Sequence, residues 1–177
     1  MNPFDSIREP QKLDLLICFC DIDNFTSVAR AKPDPLDLFR VLSGMAKEMS
    51  DFMRPSTGRI VKFIGDSALV IFPGNAADDG MRVLLGMKGR IERYLARNGL
   101  KAKILFQVHF GEVAIGPFGD GDSLDIIGEQ INHAARLGHG EHRGMFVISP
   151  QAFRKLKPET RKSFHKHTPP VVYVAEE

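Results

Sequence analysis

Cysteine is scarce in this 177-residue chain, which has two, Cys18 and Cys20. They stand two apart on one expected strand, so their side chains share a face but are too distant for an easy disulfide. A disulfide scaffold is excluded, and buried thiols in a reducing compartment are expected. Charge of one sign is lacking too. Lys and Arg number 24 against 22 Asp and Glu, a net +2, too little for a global field aimed at nucleic acid or a membrane surface. No apolar run approaches bilayer length, and there is no charged-then-apolar leader, internal repeat or low-complexity tract. A cytoplasmic protein, or the cytoplasmic piece of one, is the expectation. What is present is ordinary for a soluble domain: 43% apolar and 26% charged residues, enough for one real core.

One stretch is less ordinary. Gly58 to Phe72 reads GRIVKFIGDSALVIF, two β-rich runs around Ile64-Gly65-Asp66-Ser67. Gly at the first corner of a two-residue turn accepts φ > 0, which predicts a tight antiparallel hairpin with Asp66 at its tip. Strict alternation would set Lys62 on the face of Ile60 and Ile64. A lysine among aliphatics, leading to an acid at a turn, is a poor choice for a merely structural hairpin.

Residues 1–12 are polar with two prolines and read as a tail or linker stub, leaving 13–177 as the domain. Leu13 to Ile22 is an apolar run ending in acids, which suits a strand buried on both faces and puts Asp21 at its C-terminal end. Pro35 to Met53 and Ala77 to Arg97 carry apolar residues at helical spacing. In the first of these helices Leu36, Phe39, Leu42, Met45, Ala46, Met49 and Phe52 form the candidate core face, with Asp34 or Asp37 as cap. Lys101 to Ile115 is two strands or one bent one. A short strand at 124–127, a helix at 128–137, a strand at 145–149, a helix at 150–156 and a last strand at 171–175 complete the order. The fold class is α+β: a ferredoxin-like βαββαβ palm-type core with C-terminal β-α-β elements added, its antiparallel-rich sheet carrying helices on one face. Arg154, Lys155, Lys157, Arg161 and Lys162 read as a solvated face.

Taken singly, the polar residues of interest have bland explanations. Asp21 is followed by Asp23, Asn24 and Thr26 and could serve a turn. Asn132 is a surface amide, Arg136 four residues on a surface ion pair, and Asp125 a strand-edge acid. Together, DI-x-x-FT at Asp21, K-x-x-GD at Lys62–Asp66 and D-x-x-G-x-x-x-N-x-x-x-R from Asp125 to Arg136 resemble the class III nucleotidyl cyclase catalytic domain. The likeness runs from about Leu15 to Phe153, with an echo in PVVYV.

The resemblance implies that Asp21 and Asp66, helped by the Ile22 carbonyl, hold two divalent cations, Mg²⁺ or Mn²⁺. It gives Asn132 the orientation of the ribose and Arg136 the charge developing on the α-phosphate. Asn24, Phe25 and Thr26 would cradle the triphosphate, and Lys166 is the nearest candidate for the terminal phosphates, one position out of register. Lys62 and Asp125 would read the base. A donor and an acceptor match the N1 and 6-amino group of adenine, whereas guanine reverses both, leaving unpaired groups at about 1–3 kcal/mol each. An adenylate cyclase follows, acting on ATP as a head-to-tail homodimer, with a fused or separate regulatory domain possible outside the chain. The family usually has Gly where this chain has Asn24; Asn is among the few residues that tolerate φ > 0. Asp23 adds charge beside the metal site. His109, His133, His139 and His142 show no metal-ligand spacing and are assigned surface or supporting roles. Competing readings are a degenerate nucleotide-binding cyclase-like domain, a guanylate cyclase, and a diguanylate cyclase, whose Gly-Gly-acid-acid-Phe turn is missing here.

Overall fold

The computed structural model describes residues 2–121, 123–138 and 146–175. Its elements in chain order begin with β1 (Gln11–Ile22), α1 (Phe25–Ala31), α2 (Pro35–Met53), β2 (Arg59–Ile64), β3 (Ser67–Pro73), α3 (Ala77–Arg97) and β4 (Ile104–Phe118). They continue with β5 (Ser123–Ile127), α4 (Glu129–Arg136), β6 (Phe146–Ile148), α5 (Pro150–Arg154), α6 (Pro158–Arg161), β7 (Phe164–His167) and β8 (Val172–Ala175).

The apolar run after Leu13 becomes the central strand. β1 is antiparallel to β3 on one side and, from Gln11 to Ile22, to β4 on the other. Leu15, Leu16, Ile17 and Cys18 are all 0% exposed, as a strand covered on both faces requires. Alternation divides them. Leu16, Cys18, Cys20 and Ile22 join one core, Leu15 and Ile17 the other.

The sheet order β2-β3-β1-β4 contains two split βαβ units. β3 lies between β1 and β2, which α2 connects, and β1 lies between β3 and β4, which α3 connects. This is the expected ferredoxin-like core. Past β4 the sheet continues through β6, parallel to β4, to β8 and the edge strand β7, while β5 pairs with the far end of β4. The stretch expected as two strands or one bent one is thus one long strand, which starts at Ile104 rather than Lys101 and runs on to Phe118.

α2 and α3 cover the first core, with Val28 of α1 and Ala152 of α5 beside them. Asp34 caps α2, its carboxylate accepting the Leu36 N–H at 2.9 Å. The buried stripe of α2 is Val41, Met45, Met49 and Met53. Leu36 and Phe39, expected in the core face, are 64% and 70% exposed. Several helical phases fit the apolar positions of α2, and the sheet selects the one that starts at Val41. α4 sits on the opposite face, where Ala134 packs with Leu15, Ile17 and Val113. So does the segment expected to trail as a tail: Phe4 and Ile7 are buried there, and Asn2 Nδ2 donates to the Gly58 carbonyl at 2.7 Å. Among the described residues no helix is long and apolar enough to cross a membrane.

Candidate active site

Ile64 pairs with Ser67, so Gly65 and Asp66 alone make the turn, and Gly65 takes φ +62°. The tip is directed at the end of β1: Ile22 N–H donates to Asp66 Oδ2 at 3.3 Å. Asp21 and Asp66 line one cavity of about 460 Å³ together with Asp23 and Asn24 to Thr26. Asp21 is pushed up to about 6, first by burial, then by the charges of Asp66 and Asp23. Burial also raises Asp66, opposed by its own N–H and that of Ile22. Asp21 Oδ1 is buried with no hydrogen-bond partner. A buried orphan oxygen, beside a second carboxylate, is a hard-oxygen donor set that fits a divalent cation. Among the described residues no group of three or more His, Cys, Asp or Glu could hold an ion alone, so further oxygen donors would have to be backbone carbonyls, water or a bound molecule.

The loop after β1 runs through Asn24, which adopts φ 51°, ψ 46° and is the one non-glycine residue with positive φ among those described. It stands at the N-cap of α1 without a side-chain cap bond. The first-turn N–H groups of Phe25 and Thr26 therefore lack that partner on the cavity wall. The sequence pattern did not reveal α1; seven residues with one buried position, Val28, carry too little periodicity.

Lys62 Nζ lies 2.5 Å from Asp125 Oδ2, with the two side chains 44% and 15% exposed. A β-bulge makes the meeting possible. Ile60 opposes Val70 and Lys62 opposes Leu69, so Val61 is an extra residue. Ile60 consequently faces the α2–α3 core, while Lys62 and Ile64 turn to the opposite face, where β5 brings Asp125. The expectation that Lys62 shares a face with Ile60 fails for this reason.

Asn132 and Arg136 are exposed one turn apart on α4, and Arg136 Nε donates to the Asn132 carbonyl at 3.1 Å. Their neighbour Ala135 lines the carboxylate cavity. Lys166 is not brought there in the same chain. It lies on the edge strand β7, four strands from β1, roughly 19 Å at the usual strand spacing. His109 is 3% exposed and not a surface group, and His139 and His142 lie outside the described residues. Gln107, buried on the cavity wall, belongs to no motif; its one signal in the sequence is an amide in the apolar run ILFQVHF.

A split βαβ sheet that delivers two acids to one cavity and a lysine–aspartate pair to another place defines the class. The family profile of the adenylate and guanylate cyclase catalytic domain matches residues 8–174, and the chain belongs to that family. An adenylate cyclase of Anabaena cylindrica is 26% identical over 157 residues, covering 77% of this chain and 31% of the relative. The chain thus spans about a third of that relative's length. The adenylyl cyclase CyaB of P. aeruginosa superposes with a TM-score of 0.78 at 21% identity, covering 96% of each chain. The guanylate cyclase domain of RhGC from Catenaria anguillulae, solved with GTP, gives 0.78 at 20%, covering 94% of this chain and 100% of that one. The guanylyl cyclase Cya2 gives 0.79 at 20%, with 94% and 93% covered. Both nucleotide specificities therefore occur on this fold.

Proposed function

We propose that the chain is an adenylate cyclase domain that converts ATP to 3′,5′-cyclic AMP and pyrophosphate at composite sites of a head-to-tail homodimer in the cytoplasm. The observation that carries this reading is the convergence of Asp21 and Asp66 on one cavity, with Asp21 Oδ1 buried and unsatisfied.

Asp21, Asp66 and the Ile22 carbonyl would hold two divalent cations, which when bound lower the pKa of the ribose 3′-hydroxyl and neutralise triphosphate charge. The remaining work falls to the chain. The Phe25 and Thr26 amides, opened by the left-handed Asn24, receive phosphate oxygens. From the second copy, Lys62 donates to adenine N1 and Asp125 accepts from the 6-amino group. Asn132 holds the ribose so that O3′ lies in line with the α-phosphorus. Arg136 swings from the Asn132 carbonyl to the α-phosphate, where its fixed fork of donors meets charge that grows toward the transition state. Lys166 would reach a triphosphate only across the dimer.

The deciding experiment incubates the purified chain with Mn²⁺ and either ATP or GTP. Cyclic AMP and pyrophosphate form, GTP is the poorer substrate, and Asp66→Ala is inactive. Faster turnover of GTP would make it a guanylate cyclase; nucleotide binding without turnover would make it a degenerate domain.

A further inference from the structure

Asn132 and Arg136 ride on α4, whose apolar grip on the sheet is slight: Ala134 is its one buried residue, with Ile131 packed alongside. Polar and glycine contacts from β4 supply the rest. Three alternate residues, Gln107, His109 and Gly111, face the helix. His109 Nε2 is 2.8 Å from Gln130 Oε1. An amide oxygen only accepts, so this ring nitrogen carries the proton, and Nδ1 is left buried without a partner. Burial holds the ring below the usual histidine range, which favours this neutral form, against the pull of the Gln130 bond. The facing ionisable groups are few: His133, with ring centroids 5.6 Å away, which itself lies 3.5 Å from Glu129.

Gln130 has no room to shift toward the sheet. It lies over Gly111, where an added Cβ would stand 2.7 Å from Gln130 Cγ. Just past the other end of the helix the fit is reversed, since an added Cβ at Gly138 would run into Gln107 Nε2. Each glutamine occupies the space above a glycine of the facing segment, and His109 lies between Gln107 and Gly111 on β4. Height and register of α4 are set together.

We propose that His109 is a positioning residue for Asn132 and Arg136: bonded to Gln130, it fixes where α4 stands over β4 without touching nucleotide or metal. The catalytic half of this inference rests on the proposed cyclase reaction; the seating of α4 does not.

The test uses the purified chain with His109→Phe, His109→Gln, Gln130→Met and the Phe/Met double variant. His109→Phe and Gln130→Met each lower kcat about tenfold and leave KM within about twofold, as expected for misplaced reacting groups. His109→Gln, which keeps a donor within reach, restores most of the rate, and the double variant is no slower than the slower single one. Amide hydrogen exchange quickens over Gln130–Arg136 in the Phe and Met variants but not in β1. An unchanged kcat in both single variants, multiplying effects in the double variant, or no rescue by His109→Gln overturns the proposal. Should His109→Phe not fold, Gln130→Met carries the same comparison, because that side chain is only half-buried. If the unmodified chain cyclises neither ATP nor GTP, the proposed function has failed, and exchange in α4 decides the seating by itself: protection equal to the unmodified chain refutes it.

Discussion

Asp66 accepts the N–H of Ile22 at 3.3 Å, tying a hairpin tip to the residue beside Asp21 across 44 positions of sequence. The bond fixes two carboxylates at one cavity, and each is held above its ordinary pKa. The fold therefore keeps an electrostatic conflict at this point, and removing it has opposite effects on stability and on function.

Asp21→Asn removes a charge that the folded state disfavours. With Asp21 raised from 3.8 to about 6, the folded state binds more protons than the unfolded one between those values. Stability from this group thus falls as pH rises through that window, and the deficit is complete at pH 7. Asp21→Asn raises the melting temperature at pH 7.5 by about 2–4 °C and has no effect near pH 3.5, while turnover is lost. Equal melting curves at pH 7.5 would contradict the conflict.

Divalent ions act in the same direction by another route. Millimolar Mn²⁺ raises the melting temperature at pH 7.5, and much less at pH 5, where protons compete for Asp21. Asp66→Asn abolishes the shift at both values. A shift that survives in Asp66→Asn places the ion elsewhere.

The left-handed Asn24 separates Gly from Ala. Asn24→Ala puts a side chain without local hydrogen-bonding capacity at φ 51° and costs about 1 kcal/mol. Asn24→Gly is neutral or slightly stabilising and keeps the backbone of the loop after β1 as it is. Chemical denaturation of both variants, with KM for ATP alongside, checks the pair.

Base choice is tested by charge reversal. Lys62→Glu with Asp125→Ser removes the adenine pattern and supplies an acceptor for guanine N1–H. The ratio of kcat/KM for ATP over GTP drops by about 100-fold or more, since two polar matches become mismatches. A ratio that does not move shows that these residues do not read the base.

If the sites are composite, as proposed, activity depends on assembly. Specific activity rises with protein concentration in step with the dimer fraction measured by sedimentation. Constant specific activity in a monomeric sample would sink the composite site.

The sheet core was legible because it rests on strong local signals. The run from Leu13 to Ile22, the two long helices and Gly65 at a two-residue turn each have one reasonable reading. Three features were not legible for one physical cause, that they depend on contacts distant in sequence. Phe4 and Ile7 look like residues of a polar tail until the second face of the sheet is there to bury them. The bulge at Val61 obeys no local rule, yet it decides which face Lys62 occupies. β7 is four residues long and exists through its pairing with β8. At the site, the motifs singled out Asp21 and Asp66, which line one cavity, and Lys62 and Asp125, which meet, whereas no motif marks Gln107 or His109 in the apolar run ILFQVHF. Their contacts with Gly138 and Gln130 depend on a segment more than twenty residues away in sequence.

The contact between Lys62 and Asp125 also bears on fidelity. In the structure the Lys62 ammonium and the Asp125 carboxylate are each other's partners, so each charge is already paired within the chain. Under the proposed reading of the base, a purine would have to part the two before it could dock. Adenine would give each a replacement partner as it did so; guanine would pull them apart and offer neither anything in exchange. Rejection of the wrong base would then begin at the threshold, before any phosphate has been gripped.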